Sequence, residues 1–244
     1  MAEAVTFIHA PKCGGTSVGS ALRARYLYSQ ATISLKESAA LQRLLWPEAT
    51  GLERFYREFE VRDMMMARLV MKGVRCISAH ARYNPALRRA EERTRRYVTV
   101  LREPVSRFVS HYLYLKRRHP SSVEGGGVEA FLESEQARRF GSEYLFYFAG
   151  RYQVGEPDVG GLVRTACANL ESFDVVGDTA RMDAFREDVG RALGVRLLKL
   201  QRNKRPAGSR PGFSEAQLRR VQEICAPDLA IYEHALSAKA VSRA

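Results

Sequence analysis

The chain has 244 residues, 45% of them hydrophobic, and a formal net charge of +12. This length suits one large α/β domain, and the hydrophobic share is too high for a disordered chain. The positive charge favours anionic partners such as nucleic acid, a membrane surface, or small molecules with phosphate or sulfate groups, although solvated helix faces explain it equally well. We expect a single domain over residues 1–238 and a flexible tail over residues 239–244.

The sequence shows no membrane-spanning run, no secretory signal and no CxxC pair. No apolar run approaches the roughly 20 residues that cross a bilayer, and the N-terminus lacks the regions of a secretory signal. The four cysteines form no CxxC pair, unlike those of a zinc site or a disulfide framework. We therefore expect a cytoplasmic protein with no membrane span and no metal site.

The first predicted elements are a strand, a glycine-containing turn and a helix. Residues 5–9 (VTFIH) are rich in β-formers, and apolar residues recur at helical spacing over residues 18–26. Residues 35–72 are predicted to be helical throughout. Two further short strands are predicted at residues 74–79 and 97–101.

The next helix begins at Pro104, because proline suits a first helical turn, and it ends before Pro120. A capping box of Ser214 and Gln217 predicts a C-terminal helix. The remaining predictions are helices at residues 128–149, 160–170 and 182–193, strands at 173–177 and 195–198, and loops at 121–127 and 201–212. Alternating strands and helices indicate an α/β fold: a P-loop-like, mainly parallel central sheet flanked by helices, with a helical insertion after the first helix.

The turn after the first strand has the parts of an anion site. N–H groups at a helix N-terminus lack helical partners, and the helix dipole favours negative charge there. The contributing residues are two glycines that permit close approach of the backbone, two hydroxyl donors and one mobile cation: Gly14, Gly15, Thr16, Ser17 and Lys12. Lys12 precedes the glycines, whereas the lysine of the loop GxxxxGK[ST] follows them. A purely structural turn is the alternative.

Arg102 is the candidate for a second anion site. It ends the predicted strand 97–101, and open α/β sheets bind ligands at that end of their strands. Ser110 follows on the next helix, and an arginine with a serine so placed suits a phosphate. The alternative is that Arg102 only bonds to its own sheet edge. Two such elements at neighbouring strand ends favour anion binding.

Two stretches carry a family resemblance. TFIHAPKCGGTSV and YVTVLREPVSRFVSHYLYLK resemble the 5′-phosphosulfate loop and the 3′-phosphate-binding strand and helix of sulfotransferases that use 3′-phosphoadenosine 5′-phosphosulfate (PAPS). Their order is most similar to that in the heparan sulfate 2-O- and 6-O-sulfotransferases and their bacterial relatives. Agreement is dense over residues 5–20 and 75–118 and looser over 170–200. Cys13 stands where threonine is common, and Glu103 where aspartate is common.

The resemblance implies transfer of a sulfuryl group from PAPS to an acceptor hydroxyl, with adenosine 3′,5′-bisphosphate as the product. It places Lys12 at the 5′-phosphosulfate near the scissile bond, and Arg102 and Ser110 at the 3′-phosphate. The further cofactor contacts that it implies are Pro11, Cys13, Gly14, Gly15, Thr16 and Ser17, together with Asn203 and Lys204 in a later loop that closes over the nucleotide.

A histidine is the expected general base, because its pKa lies near neutrality. His80 follows the predicted strand 74–79 at the sheet end that carries the phosphate loop. It matches the base of the 2-O- and 6-O-sulfotransferases. A hydrogen-bonded histidine at a strand end is the alternative. His9 is expected to be structural, His111 to face either way, and His119 and His234 to be exposed.

The acceptor is expected to be a carbohydrate or another small molecule. Residues 30–72, 88–96 and 121–127 are the candidate borders of its site, where positive charge would suit an anionic glycan; a solvated helix with mixed charges is the alternative. One alternative is a P-loop small-molecule kinase that uses ATP and magnesium, against which the position of Lys12 argues. Another is a basic nucleic-acid-binding protein, but no recognition motif is present, so no nucleic acid is expected as a partner. A third is a sulfotransferase fold that binds nucleotide without catalysis.

Overall fold

A five-stranded parallel sheet forms the centre of the protein in a computed structural model, which describes residues 3–91, 94–120, 123, 127–150, 152–197 and 213–241. The order of the strands is β2-β3-β1-β4-β5, and every neighbouring pair is parallel. The strands are β1 Ala4–Ile8, β2 Gln30–Thr32, β3 Cys76–Ala79, β4 Arg95–Leu101 and β5 Val175–Asp178. The predicted α/β class with a mainly parallel sheet is confirmed.

Helices flank this sheet. In the described parts of the chain they are α1 Gly15–Arg25, α2 Leu35–Leu45, α3 Gly51–Met71, α4 Pro85–Ala90, α5 Pro104–Arg118, α6 Gly127–Glu133, α7 Glu135–Gly141, α8 Glu143–Ala149, α9 Val159–Glu171, α10 Met182–Leu193, α11 Glu215–Ile224 and α12 Ala226–Val241. The helical insertion is present as α2 and α3, separated by residues 46–50. None of the described helices has both the length and the apolar character that crossing a membrane requires.

The order of the strands creates a ligand-binding edge. From β1 the chain passes to β2 and β3 on one side, then crosses to β4 and β5 on the other. Because the connections diverge at β1, the carboxyl end of this strand lies at a topological switch point, where open α/β sheets bind ligands. The carboxyl ends of β3 and β4 lie on either side of it.

Two strand predictions differ from the structure. β2 was not predicted, because its three residues are partly or fully exposed at the sheet edge and show no apolar pattern. Residues 195–197 were predicted as the start of a strand but are not one. Instead, Gly194 ends α10 in the left-handed conformation, and Val195 N–H donates to the carbonyl of Gly190. This bond belongs to a helix C-cap. An apolar residue after the cap glycine is common in such caps, so Val195 does not indicate a strand.

The C-terminal helices follow their local signals. Ser214 and Gln217 form the predicted capping box at the start of α11. The tail expected from residue 239 begins as the last turn of α12, which ends at Val241.

A buried ionic network joins α5, α7, α8 and α12. The side chain of Arg107 on α5 is fully buried and lies 3.4 Å from carboxylate oxygens of both Glu143 and Asp228. Asp228 on α12 also accepts hydrogen bonds from the N–H groups of Tyr144 and Leu145, at 2.9–3.0 Å. It therefore caps the N-terminus of α8 from a distant part of the chain, and burial raises its pKa to about 7.

Candidate functional site

The loop between β1 and α1 contains two residues in the left-handed conformation. Lys12 has a φ of 69°, and among the described residues it is the one non-glycine residue with a positive φ. Gly14 has a φ of 70° and occupies the N-cap of α1 without a side-chain cap. Such a conformation costs a lysine about 1–2 kcal/mol, and strained residues of this kind cluster at ligand-binding sites. The uncapped helix start fits an anion.

Gly15 makes room for the ring of His9. A Cβ atom at this position would lie 2.1 Å from His9 Cδ2, so no larger residue fits without moving the histidine. The main-chain N–H of His9 donates to the carbonyl of Ala79 on β3 at 3.1 Å. The His9 ring stacks on Phe7, with 4.8 Å between the ring centroids. The start of α1 therefore packs directly on a buried histidine, and His9 has a structural place, as expected.

Tyr144 on α8 joins the loop to the end of β4. Its hydroxyl donates to the carbonyl of Arg102 and accepts the N–H of Arg102 at 2.7 Å. The Sγ atom of Cys13 lies 3.4 Å from the same hydroxyl. Burial raises the pKa of Cys13 to about 11, so this thiol is a neutral packing group whose side chain faces the interior. Tyr144 was not foreseen, because its partners lie 42 and 131 residues away in sequence.

Arg102 reaches the loop with its side chain. Its Nη1 donates to the carbonyl of Lys12 at 3.4 Å, which brings the two predicted anion-binding elements into contact. Glu103 caps α5 by accepting the N–H groups of Val105 and Ser106 at 2.8 and 2.7 Å. A carboxylate thus occupies the N-terminus of α5, and the cationic side chain of Arg102 is the group at this strand end that suits a phosphate.

His80 lies directly after β3 and contacts the loop through His9. The centroids of the two imidazole rings are 3.9 Å apart. Burial, followed by the positive charge of Arg62, lowers the pKa of His80 to about 4, so the ring is neutral at pH 7. Its Nδ1 atom is buried without a hydrogen-bond partner. His80 is therefore in the protonation state that a general base needs.

The helical insertion holds the segment after β3. Arg62 on α3 donates to the carbonyl of His80 at 3.4 Å and pairs with Glu58 on the same helix. Its neighbour Asp63 accepts the N–H and Nε–H of Arg82 at 3.1 and 2.7 Å. The insertion therefore contacts the segment that carries His80, through residues that were not foreseen.

The other predicted residues lie as follows. Pro11 and Ser17 are partly exposed and Thr16 is exposed, whereas Ser110 is buried on α5. A Cβ atom on Gly14 would lie 3.9 Å from Thr179, so the turn after β5 also borders the loop. Asn203 and Lys204 lie outside the described residues.

His111 and His234 contact residues outside the loop. His111 stacks on Phe140 with centroids 4.1 Å apart, and burial lowers its pKa to about 3. His234 pairs with Glu171 at 2.7 Å. Within the described ranges, no three His, Cys, Asp or Glu side chains are grouped so that they could hold a metal ion.

No protein-family model matches the chain, and no curated protein matches its sequence.

Proposed function

We propose that this protein is a sulfotransferase that moves a sulfuryl group from PAPS to an acceptor hydroxyl. The observation that carries the proposal is the contact between two anion-binding elements on adjacent strands: the left-handed loop at Lys12 and Gly14, and Arg102 at the end of β4. A nucleotide with acidic groups at both its 5′ and 3′ positions suits two such elements.

The residues present fit this cofactor. The uncapped start of α1, with Thr16 and Ser17 in its first turn, would receive the 5′-phosphosulfate. Arg102 and Ser110 would hold the 3′-phosphate. Pro11 and the main chain of Cys13 shape the loop, and Asn203 and Lys204 remain proposed nucleotide contacts. When bound, PAPS supplies an activated sulfuryl group on a bisphosphate leaving group.

In the proposed reaction, His80 takes the proton of the acceptor hydroxyl as the acceptor oxygen bonds to sulfur. Because Nδ1 of His80 is buried, Nε2 is the atom assigned to this proton. The ammonium group of Lys12 stabilises the charge that develops on the departing oxygen. The low pKa of His80 makes it a weak base in the free protein, and an anion in the loop would raise that pKa.

The acceptor in this proposal is a carbohydrate or another small molecule. The exposed basic end of α5, residues 116–118, would suit an anionic glycan. A cytoplasmic location belongs to the same proposal.

Thermal unfolding with adenosine 3′,5′-bisphosphate, compared with AMP and with ATP–magnesium, tests the proposal. A ligand at 100 times its Kd adds about 2.7 kcal/mol to stability, which raises the Tm of a chain of this size by roughly 5–10 °C. The expected result is a shift with the 3′-phosphorylated nucleotide alone. A shift with ATP–magnesium alone would favour the kinase, and no shift with any nucleotide would contradict both functions.

A further inference from the structure

The ammonium group of Lys12 lies on an aromatic ring of α5. Its Nζ atom is 3.4 Å from the centroid of the Tyr114 ring. Tyr114 is 37% exposed, so the core does not require its side chain. It follows Ser110 by four residues on α5 and therefore lies on the same helix face. The residue proposed to act on the leaving group thus contacts the helix that carries the proposed 3′-phosphate contact.

Different contacts hold the main chain and the side chain of Lys12. The main chain is fixed by its left-handed conformation and by the hydrogen bond from Arg102 to the Lys12 carbonyl. The ammonium group of the side chain lies on the Tyr114 ring, and cation–π contacts are weak at exposed sites. A charge-assisted hydrogen bond to a phosphate or sulfate oxygen is roughly twice as strong as a neutral one. An anion in the loop can therefore draw the ammonium group away from the ring without moving the backbone.

We propose that Tyr114 is a positioning residue: it holds Lys12 against α5 in the free protein and releases it to an anionic oxygen bound in the loop. The identity of that anion as the 5′ group of the nucleotide rests on the proposed function; the contact itself does not. The release consumes part of the binding free energy, so the Tyr114 ring weakens the apparent affinity for the nucleotide.

Calorimetric titration with adenosine 3′,5′-bisphosphate measures this cost. Tyr114→Leu removes the ring face, so we expect about 2- to 5-fold tighter binding, the range that an exposed cation–π contact gives. Tyr114→Phe keeps the ring and should match the wild type. In a Lys12→Ala background, Tyr114→Leu should change nothing. Equal affinity of the wild type and Tyr114→Leu would overturn the proposal while leaving the nucleotide function intact.

A second measurement needs no nucleotide. After reductive ¹³C-methylation of lysines, ring currents should shift the Lys12 methyl signal upfield in the wild type and in Tyr114→Phe, but not in Tyr114→Leu; Lys12→Ala assigns the signal. A normal Lys12 shift in the wild type would overturn the proposal. Should the wild type bind no bisphosphate, the proposed function fails, and titration with inorganic sulfate still tests the release: the upfield shift should disappear, and its persistence at saturating sulfate would refute it.

Discussion

Lys12 combines backbone strain, a hydrogen bond from Arg102 and a movable charge in one residue. If it stabilises the departing oxygen, Lys12→Ala should lower turnover by about 100- to 1,000-fold at saturating PAPS, the range seen when a charge-stabilising donor is removed. Steady-state kinetics measure this. Arg219→Ala, which removes a cation from an exposed position on α11, is the control and should keep its turnover. Unchanged turnover in Lys12→Ala would remove this role.

His80 gives a prediction about pH. Its pKa is about 4 in the free protein because of burial and Arg62. A bound anion favours the protonated imidazole, so adenosine 3′,5′-bisphosphate should raise the pKa. NMR titration of labelled histidine, assigned with His80→Ala, measures the change, and exposed His119 serves as the internal control. A pKa that stays near 4 with saturating nucleotide would argue against an anion beside His80.

Gly15 gives a prediction about packing. Gly15→Ala places a methyl group 2.1 Å from His9, so we expect a loss of about 1–3 kcal/mol in the free energy of unfolding, together with weaker nucleotide binding. Gly160→Ala is the control. Its Cβ would meet nothing closer than 3.7 Å within α9, and helix propensity favours alanine there. Chemical denaturation compares the two variants, and equal stabilities would contradict the assigned contact.

At the level of elements, α8 supports the site through one hydroxyl. Tyr144→Phe leaves the N–H and carbonyl of Arg102 without their partner, which should cost about 1–3 kcal/mol and weaken nucleotide binding. Tyr147→Phe is a matched control, because the buried Tyr147 hydroxyl has no hydrogen-bond partner. Its removal should be neutral or stabilising. Equal Tm values for the two variants would show that the Tyr144 hydroxyl does not secure the loop.

The elements differ in how far the sequence predicts them. Local patterns were enough for β1, β4 and α5, since apolar strands and helix start signals act within a few residues. Local residues also predicted the position of the turn at Lys12, although not its backbone conformation. They were not enough for β2, whose three exposed residues gain their conformation from pairing with β3.

The contacts around the candidate site depended on tertiary packing. Tyr144 meets Arg102 across 42 residues of chain, and Arg62 meets His80 across 18. No periodicity or motif in the sequence predicts either contact. Whether a polar side chain is buried depends on how the helices pack, and this packing depends on residues throughout the sequence. The left-handed conformation of Lys12 was equally hidden, because lysine rarely adopts it.

At the scale of the whole molecule, three histidines couple stability to pH. Burial lowers the pKa of His9, His80 and His111. The unfolded chain therefore binds protons near pH 6.5 that the folded chain does not, and stability falls as the pH falls through this range. Asp228, whose pKa is raised to about 7, acts in the opposite direction because its folded form gains a proton first. Asp63, whose pKa burial also raises, acts in the same direction as Asp228, and three histidines against two carboxyl groups leave a net loss on acidification.

The expected slope near pH 5–6 is roughly 1–3 kcal/mol per pH unit, from a net difference of about one to two protons. Thermal unfolding from pH 7.5 to pH 5 measures it. Replacing His111 by Phe, which keeps a ring against Phe140, should flatten the slope. A Tm that does not fall on acidification would contradict the assignment.

The capping of α8 by Asp228 has a consequence for biosynthesis. Asp228 follows Tyr144 by 84 residues, and Tyr144 in turn secures the loop at Cys13 and the end of β4. At about 5–20 residues per second, the ribosome adds Asp228 on the order of ten seconds after Tyr144. During that interval the nascent chain already carries the loop but not its support. The candidate site is therefore completed only after α12 has been synthesised and has docked.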